Sequence, residues 1–226
     1  MFSTRASNSD SESDLIDSLA PSLKFIEKLG YAFGHIFNDL CAAVWFSFTL
    51  LFLEKVQQMS QIETGALILL GQITQAIVTP VIGKLSDVYG SKRTWHAVGT
   101  LFVFLSFPLI YSVCPYCDVS SGWKLTFYVV IVIIFNVAWP MVQIAHMAII
   151  PELGSSQRDR SDLTAMRYTG LISSAITVYV VTSIVLGQNT DNKLNAKILM
   201  TTHVAQADEN IQPTDGFKFR VSFQIS

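Results

Sequence analysis

Five long apolar runs, separated by short charged stretches, constrain this chain more than any other feature. They run roughly from Tyr31 to Leu53, Thr64 to Ile82, Trp95 to Val113, Leu125 to Ile150 and Tyr168 to Leu186. Each is long enough for a helix to cross a hydrocarbon core about 30 Å thick. Strands of a membrane barrel need only about 10 residues with strict alternation, and these runs do not alternate. The expected fold class is therefore all-α and integral to a membrane, with about five transmembrane helices. Only 14% of the 226 residues are charged, against about a quarter in soluble domains. The mean hydropathy of +0.43 agrees. A net charge of −2 argues against nucleic acid as a partner, which usually requires a basic face; the lipid bilayer is the expected one.

Residues 1–22 are rich in Ser and Asp and read as a disordered cytosolic tail. They lack the basic-then-apolar order of a signal peptide. Residues 23–186 make the expected membrane domain. Residues 187–226 are polar, with no sixth apolar run, and read as a non-cytosolic loop of a chain truncated before a sixth helix. Lys84, Lys92 and Arg93 lie between the second and third runs, and Arg158 and Arg160 between the fourth and fifth, with Arg167 at the next helix start. The first and third connections offer only Lys55 and Lys124. This imbalance places the N-terminus and the Lys- and Arg-bearing connections in the cytosol.

Polar residues inside the apolar runs mark candidate sites. His35, Asn38 and Asp39 lie in the first, with His35 and Asp39 four apart on one helix face. A carboxylate at this depth costs about 3 kcal/mol on insertion scales and tends to face a cavity or a partner. The pair either binds solute or proton, or forms an internal hydrogen bond that fixes packing. Gln72, Gln75 and Thr79 form a polar stripe on the second helix; Asn136, Gln143 and His146 form one on the fourth, beside Trp139 and Pro140. Arg167 is placed to pair with Asp39 or with an anionic solute. Ser174 and Thr177, on the same face as Arg167, read as interhelical hydrogen-bonding residues.

Between the second and third runs stands GKLSDVYGSKR, Gly83 to Arg93. Its glycines, Gly83 and Gly90, suit a tight turn. Asp87 can sit near a helix N-terminus, and Lys92 and Arg93 anchor the connection, where charge pairs broken and remade would bias one conformation. The spacing of Gly83, Asp87, Gly90 and Arg93 resembles the signature loop of the major facilitator superfamily. YAFGHIFNDL, Tyr31 to Leu40, and IIPELGSSQRDRSDLTAMRY, Ile149 to Tyr168, look like the first helix and the 4–5 loop of its melibiose-permease branch, the glycoside–pentoside–hexuronide:cation symporters. The segment Trp95 to Cys117 is similar to animal members of this group associated with cysteine import into lysosomes and melanosomes.

The resemblance implies the N-terminal half of a secondary transporter, acting on a small solute by alternating access together with a missing C-terminal half. It implies solute contacts at Asp39 and Arg167, with Gln143 where bacterial members carry a second sugar-contacting carboxylate. Gln75 and Thr79 stand where two cation-binding carboxylates are expected. Amides and hydroxyls without a carboxylate hold sodium weakly, so a proton is the expected coupling ion ahead of sodium. Cysteine or a related amino acid is the expected solute; a sugar is the alternative. So too is a non-transporting protein that pairs with a full-length carrier. The expected compartment is a lysosomal or related organelle membrane, or the plasma membrane.

No nucleophile–base pair or metal cluster is evident, so neither an enzyme nor a metal or other cofactor is expected. Cys41 reads as a packing residue. Cys114 and Cys117, in a C-P-Y-C stretch opposite the cytosol, either form a local disulfide or remain free thiols.

Overall fold

The computed structural model describes residues 22–112 and 121–187. Five helices follow one another: α1 (Phe25–Leu51), α2 (Gln61–Val88), α3 (Lys92–Ile110), α4 (Ser121–Leu153) and α5 (Gln157–Gly187). All five are long and apolar enough to cross a membrane. Each begins before the corresponding apolar run, and polar caps set the start of α2 and α3. Ser60 Oγ accepts from Glu63 N at 3.3 Å while Glu63 Oε2 accepts from Ser60 N at 3.0 Å, a reciprocal box that starts α2. Ser91 Oγ accepts from Thr94 N at 3.3 Å and starts α3.

Three expectations are corrected here. The turn expected across Gly83 to Arg93 shrinks to Tyr89–Ser91, since α2 continues to Val88 and α3 opens at Lys92. Gly83 is thus helical, and only Gly90, at φ 76°, uses the left-handed conformation that glycine tolerates. Asp87 belongs to the last turn of α2 and pairs with the Lys92 ammonium, which also donates to Ser86 O at 2.8 Å. Arg167 lies ten residues inside α5, not at its start, because the arginine- and aspartate-rich segment before it is already helical.

Contacts at the two ends show that α1, α3 and α5 run one way and α2 and α4 the other. Lys28 near the start of α1 reaches Asp159 near the start of α5, while Lys124 near the start of α4 donates to Gln57 O, just after α1, at 3.0 Å. Helix α1 ends in a π-helical turn, Phe52–Val56, with Phe52 and Leu53 fully buried. Helices α1 and α4 hold the interior. Trp45 packs on Phe135 with ring centroids 5.1 Å apart, Phe107 on Phe135 at 5.5 Å, and Phe52 on Tyr111 at 5.1 Å. Thr49 and Tyr111 share a buried hydroxyl hydrogen bond. A Cβ added at Gly99 would meet Val142 Cγ2 at 2.8 Å and the Val142 backbone nitrogen at 3.1 Å. The missing side chain therefore sets how closely α3 approaches α4.

Helices α1 and α5 are parallel neighbours joined at three levels. Lys28 binds Asp159 at 2.8 Å and Asp162 at 2.6 Å; Asp39 meets Arg167; Ser47 and Tyr179 hydroxyls are 2.8 Å apart. At 1.5 Å rise per residue, Asp39 lies about 12 Å from Tyr31, where the apolar part of α1 begins. The middle link is therefore deep in the apolar zone.

A candidate solute site in the helix interior

The inner face of α1 carries Tyr31, His35, Asn38 and Asp39, spaced at four, seven and eight residues, so one stripe of the helix is polar and buried. Asp39 and Arg167 are 2% and 4% exposed, which makes this an ion pair withdrawn from solvent. Arg167 Nη1 donates to Asp39 Oδ2 at 2.8 Å and Nη2 donates to Gln143 Oε1 at 2.8 Å. His35 Nδ1 lies 3.1 Å from Asp39 Oδ1, and Asn38 Nδ2 lies 3.3 Å from His35 Nε2. His146 stacks on Tyr31 with centroids 4.0 Å apart. These two residues also bond reciprocally: His146 Nε2 donates to Tyr31 O at 3.0 Å and Tyr31 OH donates to His146 O at 2.9 Å.

Arg167 Nε is buried and has no acceptor, and Asn38 Oδ1, Trp139 Nε1 and Ser174 Oγ are likewise buried and unpaired. An unmet buried polar group costs about 1–3 kcal/mol. The interior thus holds a charge pair together with unspent donors and acceptors.

His35, Asn38, Asp39, Gln143, His146 and Arg167, singled out from the sequence, come together from three helices. The α2 stripe does not join them. Thr79 Oγ1 donates to Gln75 O at 2.7 Å within its own helix, Gln75 Oε1 is unpaired, and no hydrogen bond among the described residues links Gln72, Gln75 or Thr79 to Asp39. Asn136 likewise turns onto its own helix, donating to Val132 O at 2.9 Å. Gly90, Lys92 and Arg93 lie at the charged end of the bundle, away from the ion pair, with Gly83 and Asp87 on the last two turns of α2. Cys114 and Cys117 lie outside the described residues. An apolar cleft between α1, α3 and α5, lined by Phe37, Val44, Phe104 and Val178 among others, does not include the ion pair.

Sequence reasoning missed His96. A single histidine four residues into α3 has no partner at helical spacing, and its neighbours, His35 and His146, come from two other helices.

A bundle of five helices long and apolar enough to cross a membrane, with an ion pair buried among them, is the architecture of a multi-pass α-helical membrane protein. The chain belongs to the family described as MFS/sugar transport protein, which matches residues 30–207. It is 40% identical over 172 residues to human major facilitator superfamily domain-containing protein 12, covering 71% of this chain and 36% of that protein. It is 27% identical over 164 residues to an uncharacterized symporter of Synechocystis, covering 70% and 30%. It is 24% identical over 147 residues to the sodium-dependent lysophosphatidylcholine symporter 1-A of Danio rerio, covering 63% and 27%. The chain thus spans about a third of the length of the curated relatives it matches.

Proposed function

We propose that this chain forms one half of a secondary transporter that binds a small zwitterionic solute, cysteine or a close relative, between Asp39 and Arg167. The observation that carries the reading is the buried Arg167 with one guanidinium donor, Nε, unspent. A solute carboxylate can take that donor together with a neighbouring Nη in a bidentate contact. The solute ammonium would pair with Asp39, and Gln143, displaced from Arg167, would hydrogen-bond the solute. In the empty state the ion pair holds itself together; with solute present the two charges part. A second half on the open side of the bundle would close the site, and rocking of one half against the other would expose it alternately to each side.

Membership of a transporter family and the word symporter in two relatives' names support the reaction class. The amide at Gln143, where sugar carriers resembling this chain have a carboxylate, supports an amino acid ahead of a sugar. A lysosomal or related organelle membrane, or the plasma membrane, is the proposed location. The test is uptake of labelled cysteine, cystine and melibiose into vesicles carrying this chain together with the second half of the transporter. Saturable cysteine uptake that Asp39→Asn abolishes supports the reading; melibiose uptake without cysteine uptake would overturn the solute assignment.

A further inference from the structure

Three histidines from three helices meet on the charged-end side of the Asp39–Arg167 pair. Ring centroids are 4.6 Å apart for His35 and His146, 5.5 Å for His96 and His146, and 6.3 Å for His35 and His96. His35 is fully buried, His146 is buried, and His96 is half-buried near the start of α3. Among the described residues no such group is arranged to hold a metal ion. Separations of this size leave room for ring nitrogens to meet directly or through one water.

With the Asn38 amide as placed, the hydrogen bonds assign the ring protons. A backbone carbonyl only accepts, so the His146 nitrogen on Tyr31 O, Nε2, carries the hydrogen. His146 Nδ1 is then a bare lone pair, and it has no partner. The Asn38 Nδ2 group only donates, so His35 Nε2 accepts and His35 Nδ1–H donates to Asp39. Asn38 Oδ1 and His96 Nε2 are also buried without partners. The cluster therefore holds two neutral rings, His146 with an unpartnered lone pair on Nδ1 and His35 with its Nε2 lone pair accepting from Asn38. Turning the Asn38 carboxamide over would present Oδ1 to His35 Nε2 and so accept a hydrogen there.

We propose that His96, His146 and His35 form a proton relay from the charged end of the bundle to His35, beside Asp39, with the Asn38 carboxamide holding His35 in either charge state. A proton reaching His96 passes to His146 Nδ1 and leaves from the same atom, so the Nε2–H bond to Tyr31 stays intact. It then binds His35 Nε2, and each donor ring returns to neutral. Every step breaks one N–H bond and makes one. The groups facing His35 are Asp39 and Tyr31 on its own helix, His96 on α3, His146 on α4 and Arg167 on α5. Arg167 and the other two rings repel a second charge, so the cluster holds one proton at a time. This deepens the transport reading and rests on it for its use: a charged His35 competes with Arg167 for Asp39 and frees the guanidinium for a solute carboxylate.

The test follows ring nitrogens by ¹⁵N NMR on histidine-labelled protein in lipid nanodiscs, with protons as the only ligand. Between about pH 8 and pH 5, the range in which histidine ordinarily charges, His35 is expected to gain a second N–H. In His96→Gln, exchange of that proton with water is expected to slow at least about tenfold, with His96→Asn as the second variant. A His35 that stays singly protonated throughout overturns the relay, as does exchange unchanged in both variants; the wild-type titration needs no variant to fold. Cysteine uptake with and without a pH gradient separates the two proposals. Uptake that is present but indifferent to the gradient overturns the relay and leaves the solute site standing. A titrating, His96-dependent His35 without cysteine uptake supports the relay and overturns the solute assignment.

Discussion

The Asp39 carboxylate ties α1 to α5: one oxygen accepts from Arg167 Nη1 at 2.8 Å while the other faces His35 Nδ1 at 3.1 Å. Both side chains of the ion pair are buried, so neither charge can fall back on water. Removing one partner leaves the other unpaired at a cost of about 3–5 kcal/mol, whereas removing both avoids that penalty. Asp39→Asn and Arg167→Gln should each lower the melting temperature of the purified protein. The double variant should melt above either single variant, with uptake lost in all three. Thermal melts in detergent or nanodiscs check the order, and additive losses in the double variant would contradict it.

At the charged end, the aspartates that meet Lys28 are not equivalent. Asp159 is almost fully buried, accepts from Leu23 N at 3.2 Å as well as pairing with Lys28, and donates its own N–H to Ser156 Oγ at 3.0 Å. Asp162 is half-exposed and holds Lys28 alone. Asp159→Ala should therefore lower the melting temperature more than Asp162→Ala. Raising salt should erode the Asp162 contribution first, because exposed pairs are screened.

The approach of α3 to α4 at Gly99 gives a stability prediction with a built-in control. Gly99→Ala pushes a Cβ into Val142, including its backbone nitrogen, and should cost about 1–3 kcal/mol. Gly34→Ala meets nothing within 4 Å and removes a glycine from a helix interior, so it should be neutral or stabilising by up to about 1 kcal/mol. Paired chemical-denaturation curves decide between them.

The five helices were legible because each apolar run exceeds what a globular core helix needs. Their ends were not, because polar residues such as Lys84, Asp87 and Arg158 can be helical outside the hydrocarbon, where caps like Ser60 and Ser91 decide the boundary. Within the site, His35 and Asp39 could be paired from spacing alone, since four residues bring them onto one face. Arg167 was read from the residues as a partner for Asp39 and Gln143 as part of the α4 polar stripe, and the resemblance added only their expected solute contacts. His96 was invisible, because only tertiary packing brings it to His35 and His146. The α2 stripe of Gln72, Gln75 and Thr79 showed the limit of periodicity: helical spacing puts residues on one face without saying what that face meets.

Gln75 and Thr79 bear on coupling. With an amide and a back-bonded hydroxyl there, α2 presents no carboxylate for sodium at those positions. Replacing external sodium by choline should change initial cysteine uptake by less than about twofold. A steep sodium dependence in the same flux assay would place the coupling chemistry elsewhere.

The central claim is that Asp39 and Arg167 hold the solute, and the most direct measurement is initial-rate cysteine uptake by Asp39→Asn and Arg167→Lys at matched amounts in the membrane. Lysine keeps the charge of Arg167 but loses the planar fork that grips a carboxylate at two points. The account predicts that uptake falls at least about tenfold in each variant, equivalent to about 1.4 kcal/mol of lost binding or transition-state stabilisation. Normal rates in both variants would contradict it and make the pair a structural clamp between α1 and α5.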